Sequence, residues 1–475
     1  MSARHPSICI ARLGWALMLT LALLLGACSS GEPPKEGQWW RKDKQPQSFA
    51  DAQRAKANQY QSGEALPTAD AAGYARIHAM DFSAVDKHAL NAPDSVLDDY
   101  DKLAAYLSKG AKTELEKARI IFRWVTANIA YDTEAYFTGS YRNPYTTEAD
   151  TLRSKKGVCD GYATVVNALA RRMDIKSIKV IGYGKGYSYK QGGPVSPSNH
   201  AWNAMQVDGK WYLIDATWGA GYINDKKQYE RKLKEFYFFP KPEQFIYSHL
   251  PDQDSHQLMG RPVPISEFKE MPFLKPGYFT SGLELQSHKQ TRLEVDDRLT
   301  LTFGTKGDSR VLTTLLRENR KVQGDFVFSR SAGNTLTMEV RFPQSGNYEL
   351  QIFTPQKDGT AGGSTKYQYA LSYMIEVDDG TPNFKGFLST YSNYGVDGEI
   401  LTPVEGVLPI GKKVLFRVKA PKANKVAVVS DNKYHHLEKK PDGIFEGNAP
   451  VGKNIGVAIE KKPGNYSYIA TYRGE

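Results

Sequence analysis

The chain is poor in cysteine. Its 475 residues hold three, Cys9, Cys28 and Cys159, too few for a disulfide framework. No CxxC or HxxxH spacing occurs, so the ligand pattern of a structural zinc site is missing and no cofactor is expected. After the first 30 residues no run of 18 apolar residues occurs, so nothing there reads as a membrane-spanning helix. Charge runs are missing too. The 62 Lys and Arg against 52 Asp and Glu give +10, spread over Lys-rich patches. That reads as a solvated basic surface, attractive at most to anionic cell-wall polymer. No nucleic-acid-binding motif occurs, so nucleic acid is not an expected partner.

What is present suits globular domains. Hydrophobic residues make up 40% and aromatics 12%, and the length allows about three domains of roughly 150 residues. The 28 Tyr, 41 Gly and 25 Pro point to β-rich parts with many turns.

The N-terminus reads as a processing signal. Arg4 and Arg12 precede the apolar "GWALMLTLALLLGA". The stretch ends in "LGAC", which resembles a bacterial lipobox with Cys28 as the lipidated residue. Residues 1–27 are then a lipoprotein signal peptide, and 28–74 a polar tether with some helix around "ADAQRAKANQ". Several acyl chains on Cys28 would hold the protein to a membrane. Ser29 is not the Asp tied to inner-membrane retention, which favours the outer membrane, facing the periplasm. Cys159 is left as the one free thiol, either a small core residue or a reactive group.

Residues 75–275 read as a mixed α/β domain. "TELEKARIIFRWVTANI" opens with a capping box, Thr113 and Glu116, and its apolar residues keep helical spacing. Trp124 reads as core. A second helical pattern starts at Cys159. "SIKVIGYG" reads as a strand, "KGYSYKQGGPVSPSN" as a long loop bordering a cleft, and "HAWNAMQVDGKWYLIDATW" as a hairpin turning at Asp208-Gly209. From 276 onward, short alternating strands separated by turns suggest two β-sandwiches, 276–378 and 379–475. A weak repeat, "SGNYELQIF" and "PGNYSYIATY", places Tyr348 and Tyr466 at tyrosine-corner-like positions.

The hairpin brings out the chemistry. A two-residue turn at 208–209 would pair Trp202 with Asp215 and His200 with Thr217. His200 and Asp215 then share a face as diagonal neighbours, with Cβ atoms roughly 7 Å apart. The carboxylate could fix the histidine tautomer and leave the other ring nitrogen free. A cysteine at a helix N-terminus meets the positive end of the dipole and unsatisfied N–H groups, which favour the thiolate and could stabilise an oxyanion. Cys159, His200 and Asp215 therefore read as nucleophile, base and orienter for acyl transfer through a thioester. One Cys, one His and one Asp make a poor zinc set, and no metal is expected. Tyr131 and Tyr145 are candidates for a second oxyanion donor, with packing as the plainer reading.

"GVCDGYA", "NHAWNAMQVDGKWYLIDATWGAG" and "IFRWVTANIAYD" resemble the transglutaminase-like superfamily, and "FYFFPKPEQFIYSHLPDQDSHQLM" resembles its kyphoscoliosis-peptidase-like branch. At His256, before Gln257, the chain departs from that pattern, which favours Trp. The resemblance implies an α+β architecture with a papain-like core. It implies a triad on Cys159, His200 and Asp215, and thiol-dependent hydrolysis or transamidation of protein or peptide amides. The competing reading is a non-catalytic lipoprotein adaptor, or a cell-wall-binding protein, that uses these domains as interaction modules.

Overall fold

The structure is a computed structural model that describes residues 66–142, 148–195, 198–306, 310–356, 365–391, 394–395 and 397–475. The signal segment, Cys28, the helix expected around 50–59 and Tyr145 lie outside the described residues.

Folded chain begins earlier than the tether boundary at 74. Trp211 N donates to Pro67 O at 2.8 Å, and Thr68 bridges Trp211. Tyr74 and Ile77 then lie on one face of a helix, Ala71–Ala79, and both are buried. Tyr74 meets Tyr212 edge-on at 5.4 Å. An aromatic and an aliphatic residue three apart give this helix its docked face.

The capping-box helix is α1, Glu114–Asn128. Thr113 Oγ1 accepts from Glu116 N, and Glu116 Oε2 accepts from Thr113 N, each at 3.1 Å. A cap of this kind contributes about 1 kcal/mol. Trp124 is fully buried, as its helical spacing predicts. Helix α2 spans Cys159–Arg172 and buries Tyr162, Val166, Leu169 and Ala170. Lys179 Nζ pins its first turn by donating to Asp160 Oδ1 at 2.5 Å and Thr164 Oγ1 at 2.8 Å.

Behind these helices stands an antiparallel sheet of β1 (Ser177–Gly184), β2 (His200–Val207), β3 (Lys210–Ile214) and β4 (His249–Pro251). Its order is β3-β2-β1-β4. Asp208 and Gly209 both take left-handed φ, 49° and 73°, as a tight primed hairpin turn requires. The register is the one the turn predicts, Val207 to Lys210 out to Asn203 to Ile214. It stops there. Trp202 does not pair with Asp215, nor His200 with Thr217, because Asp215 caps a short helix, α3 (Ala216–Ala220). The Asp-Ala-Thr-Trp sequence supplies an N-cap just where the strand could have continued.

Two further cores follow. One lies between a sheet containing Arg298–Gly304 and Thr335–Arg341 and another containing Gly346–Pro355 and Tyr367–Val377. The other lies between a sheet containing Lys413–Lys419 and Ile444–Pro450 and one containing Asn454–Lys462 and Asn465–Gly474. The strands read from alternation fall inside these sheets. Tyr348 makes the corner bond its position suggests, its hydroxyl donating to Gln344 O at 2.8 Å. Tyr466 does not. It is half-buried and its ring lies 5.1 Å from that of Tyr434, while Tyr472 takes the buried hydroxyl role, bonded to Pro403 O at 2.9 Å.

Candidate active site

Cys159 is the first residue of α2, a buried free thiol. The N-cap, Val158, offers no side-chain acceptor, so no side chain caps the first-turn N–H groups. The start of α2 packs on the sheet through a small cluster of Cys159, Ala163, Ile181 and Ala201. Asn203 Nδ2 reinforces the contact by donating to Ala163 O at 3.0 Å.

His200 opens β2, one strand over. Gly184, its neighbour on β1, leaves room for it. A Cβ there would stand 3.0 Å from His200 Cβ and 3.1 Å from the ring. His200 Nε2 bonds Asp215 Oδ2 at 2.8 Å. With Nε2 committed, Nδ1 is the nitrogen left for Cys159, which lies close enough to help raise the His200 proton affinity. The structure thus brings all three sequence-predicted residues together.

Asp215 is fully buried. Its Oδ1 accepts from Trp218 N at 3.0 Å, the N-cap bond of α3. Its Oδ2 also receives a second imidazole, His249 Nε2 at 3.0 Å. His249 comes from β4 and was not singled out in the sequence. Ser248 Oγ sits 2.8 Å from His249 Nδ1, which sets a neutral ring with its proton on Nε2, facing the carboxylate.

The charges sort themselves accordingly. Burial opposes the His200 imidazolium, but the Asp215 charge and hydrogen bond, with Cys159 adding to them, push its pKa up to about 10. Burial also works against the Asp215 carboxylate, yet His200 and the bond from His249 hold it well below the usual range. His249 goes the other way. Burial pushes it down to about 4, only partly opposed by Asp215. One carboxylate compensates one imidazolium, and the second histidine stays neutral.

Aromatic rings enclose the group. Trp218 lies 5.1 Å from His200 and 4.3 Å from His249, and Phe245 stacks on His249 at 3.7 Å. A cleft of about 1270 Å³ opens on the thiol, with Cys159, His200, Tyr131, Trp218, Lys234 and Lys275 among its walls. Burial and the neighbouring Cys159 push the Tyr131 phenol well above its ordinary range, so it stays protonated as a donor. Gly186 and Tyr187 of the long loop form one rim, and Gln368 and Tyr369 of the first sandwich another.

His200, Asp215 and His249 have ligand atoms within 4.8 Å of one another, a grouping able in principle to hold a metal. Both histidines, however, already direct Nε2 at the same carboxylate oxygen. A metal would have to take those very nitrogens and displace the proton His249 donates. The donor set fits a hydrogen-bonded charge pair with a neutral support better than a metal centre.

A thiol at a helix start, an imidazole at the start of a strand and a buried carboxylate capping the helix after the next strand sit in a transglutaminase-like domain, here followed by immunoglobulin-like β-sandwich. Residues 101–216 match the transglutaminase-like superfamily and residues 265–387 the KY-like, immunoglobulin-like domain. The chain is homologous to kyphoscoliosis peptidase. It is 23% identical to the Mus musculus protein over 496 residues, covering 78% of this chain and 74% of that one. It is 30% identical to the Homo sapiens protein over 282 residues, covering 58% and 40%. Hillarin of Drosophila melanogaster is 26% identical over 330 residues, covering 62% and 40%. The match thus spans about two fifths of the human and fly proteins. The architecture is α+β, and the transglutaminase-like fold supports a cysteine-dependent catalytic role.

Proposed function

We propose that this chain is a cysteine-dependent amide hydrolase or transamidase that acts on protein or peptide substrates through Cys159, His200 and Asp215. The observation that carries the reading is the buried His200 Nε2–Asp215 Oδ2 bond, with His200 and the Cys159 thiol lining one cleft. The thiolate attacks the amide carbonyl carbon, and the oxyanion lies near the uncapped N–H groups of α2, with the Tyr131 hydroxyl as a second candidate donor. His200 Nδ1–H gives its proton to the leaving nitrogen as the C–N bond breaks, which leaves a thioester. Water or an amine then attacks the thioester and passes a proton to His200. A carboxylic acid or a new amide leaves, and the thiolate–imidazolium pair returns.

The "LGAC" pattern supports lipid attachment at Cys28 and a place in a bacterial envelope. The relatives named peptidase agree with amide cleavage.

Two experiments test the reading. Iodoacetamide labelling of Cys159 is expected to be fast and to drop at least tenfold in His200→Ala. A thiol that resists alkylation, or one indifferent to that substitution, would overturn it. Profiling of envelope peptides in wild type against Cys159→Ala is expected to show new ends or cross-links only with the wild type.

A further inference from the structure

Lys234 and Lys275 both line the cleft. Lys234 follows α3, the helix capped by Asp215, and its backbone N–H bonds Gly219 O at 2.9 Å. Lys275 sits where the first sandwich begins, its N–H bonded to Ala370 O at 2.8 Å. Both side chains are half-buried. Lys234 Nζ lies 5.2 Å from the Tyr222 ring and Lys275 Nζ 3.9 Å from the Phe273 ring. Among the described residues neither has a carboxylate partner. Glu235, next in sequence to Lys234, is taken by Arg119, which it shares with Asp86.

The two ammonium groups also feel each other. Burial first, then repulsion from Lys234 and Lys185, pushes Lys275 down to about 7. Burial, with Lys232 adding, pushes Lys234 down to about 8, against the pull of Asp215. Lys185 is spent elsewhere. Its Nζ donates to Phe268 O at 2.9 Å and lies 4.2 Å from the Phe268 ring. Shielding two like charges from water with no counter-ion is costly, and an arriving anion removes that cost.

We propose that Lys234 and Lys275 form an anion subsite in the Cys159 cleft that takes a carboxylate of the substrate peptide. The source is either the side chain of an acidic residue or a free α-carboxylate. The inference rests on the thiol-dependent reading above and deepens it by naming the substrate class.

The test compares two alkylating reagents of nearly equal shape, iodoacetate and iodoacetamide, on the full chain. The charge of His200 acts on both proteins of any lysine comparison and cancels. The rate ratio of anion to neutral reagent is expected to fall roughly fivefold in Lys234→Gln and again in Lys275→Gln, the scale of one unit charge across several ångströms in a partly screened site. At pH 6, where Lys275 is protonated, Lys275→Arg should keep the ratio. A ratio unchanged by both Gln variants would overturn the subsite. An unaltered iodoacetamide rate shows that a variant has folded, and a variant that loses it is judged through Lys275→Arg. Millimolar N-acetylglutamate amide and N-acetylglycine, added as protectants, identify side-chain and terminal carboxylates respectively, and protection by neither overturns the peptide assignment. If the wild-type thiol resists both reagents, the hydrolase reading fails on its own. The subsite is then decided by melting temperature. N-acetylglutamate amide should raise it in the wild type and not in the double Gln variant, and no rise overturns the proposal.

Discussion

His200 Nε2 and Asp215 Oδ2 lie 2.8 Å apart although the two residues are not partners in the hairpin ladder. The last pair is Asn203 with Ile214. One residue beyond it, the chain turns into α3, and Asp215 uses Oδ1 to cap that helix and Oδ2 to hold the histidine. The carboxylate is thereby fixed by a backbone N–H before it meets either imidazole.

Asp215→Asn should keep the helix cap and lose the charge. The amide can satisfy Trp218 N through its oxygen, but it presents an N–H to one of the two imidazoles. His200 would then lose its tautomer and its elevated proton affinity. Peptide turnover is expected to fall on the order of 10²- to 10⁴-fold, the scale at which orienting carboxylates act. Circular dichroism should remain that of the wild type.

His249 makes a separate claim. It donates to the same oxygen from a buried, neutral ring, so it positions Asp215 without adding charge. His249→Phe keeps the stack on Phe245 but leaves Asp215 Oδ2 one donor short. A stability loss of about 1–3 kcal/mol in urea unfolding is expected, together with a rise in the pH at which turnover fails on the acid side. His249→Gln can restore the donor and should recover part of both. Unchanged acid behaviour in His249→Phe would make the residue merely structural.

The same groups give the stability a directional pH dependence. His200 binds its proton more tightly folded than unfolded, so its contribution is whole below about 6.5 and is lost as pH climbs toward 10. His249 binds its proton less tightly folded. Its contribution is whole above about 6.5 and is lost as pH falls toward 4. Asp215, held low, adds a further loss below its ordinary range. Urea midpoints measured across pH should therefore peak near neutrality. His200→Gln should flatten the alkaline limb, and His249→Gln the upper part of the acid limb.

The local signals were legible because they are local. Thr113 with Glu116 announces α1, Asp208-Gly209 sets a hairpin register, and the alternation in "RLTLTFG" marks a strand. Cys159, His200 and Asp215 could be joined because a single turn ties two of them and a helix start marks the third. His249 stayed hidden for the opposite reason. It reaches Asp215 through β4, which pairs with β1, and nothing in "FIYSHLPD" encodes that pairing. The end of the ladder at Ile214 was hidden too, since "IDATW" suits a continuing strand or a capped helix, and tertiary packing decides. Tyr466 misled in the same way. The Gly-Asn-Tyr motif recurs, but Tyr348 is buried where Tyr466 is half-buried.

The cleft also depends on a contact between distant parts of the chain. Gln191, on the long loop after β1, donates from Nε2 to Ser372 O at 2.6 Å and to Thr291 Oγ1 at 2.9 Å, and accepts from Ser372 Oγ. The loop that carries Gly186 and Tyr187 on the cleft rim is thus tied to the first sandwich, whose Tyr369 lines the same cleft and bonds Ser372 Oγ at 2.6 Å. Gln191→Ala removes three of these bonds while leaving Cys159, His200 and Asp215 untouched. Iodoacetamide labelling of Cys159 should then match the wild type, because the reagent is small and the relay is intact. Peptide KM should rise on the order of tenfold, since a loosened rim no longer orients a long substrate. If KM stays constant and labelling slows instead, the loop acts on the thiol and not on substrate placement.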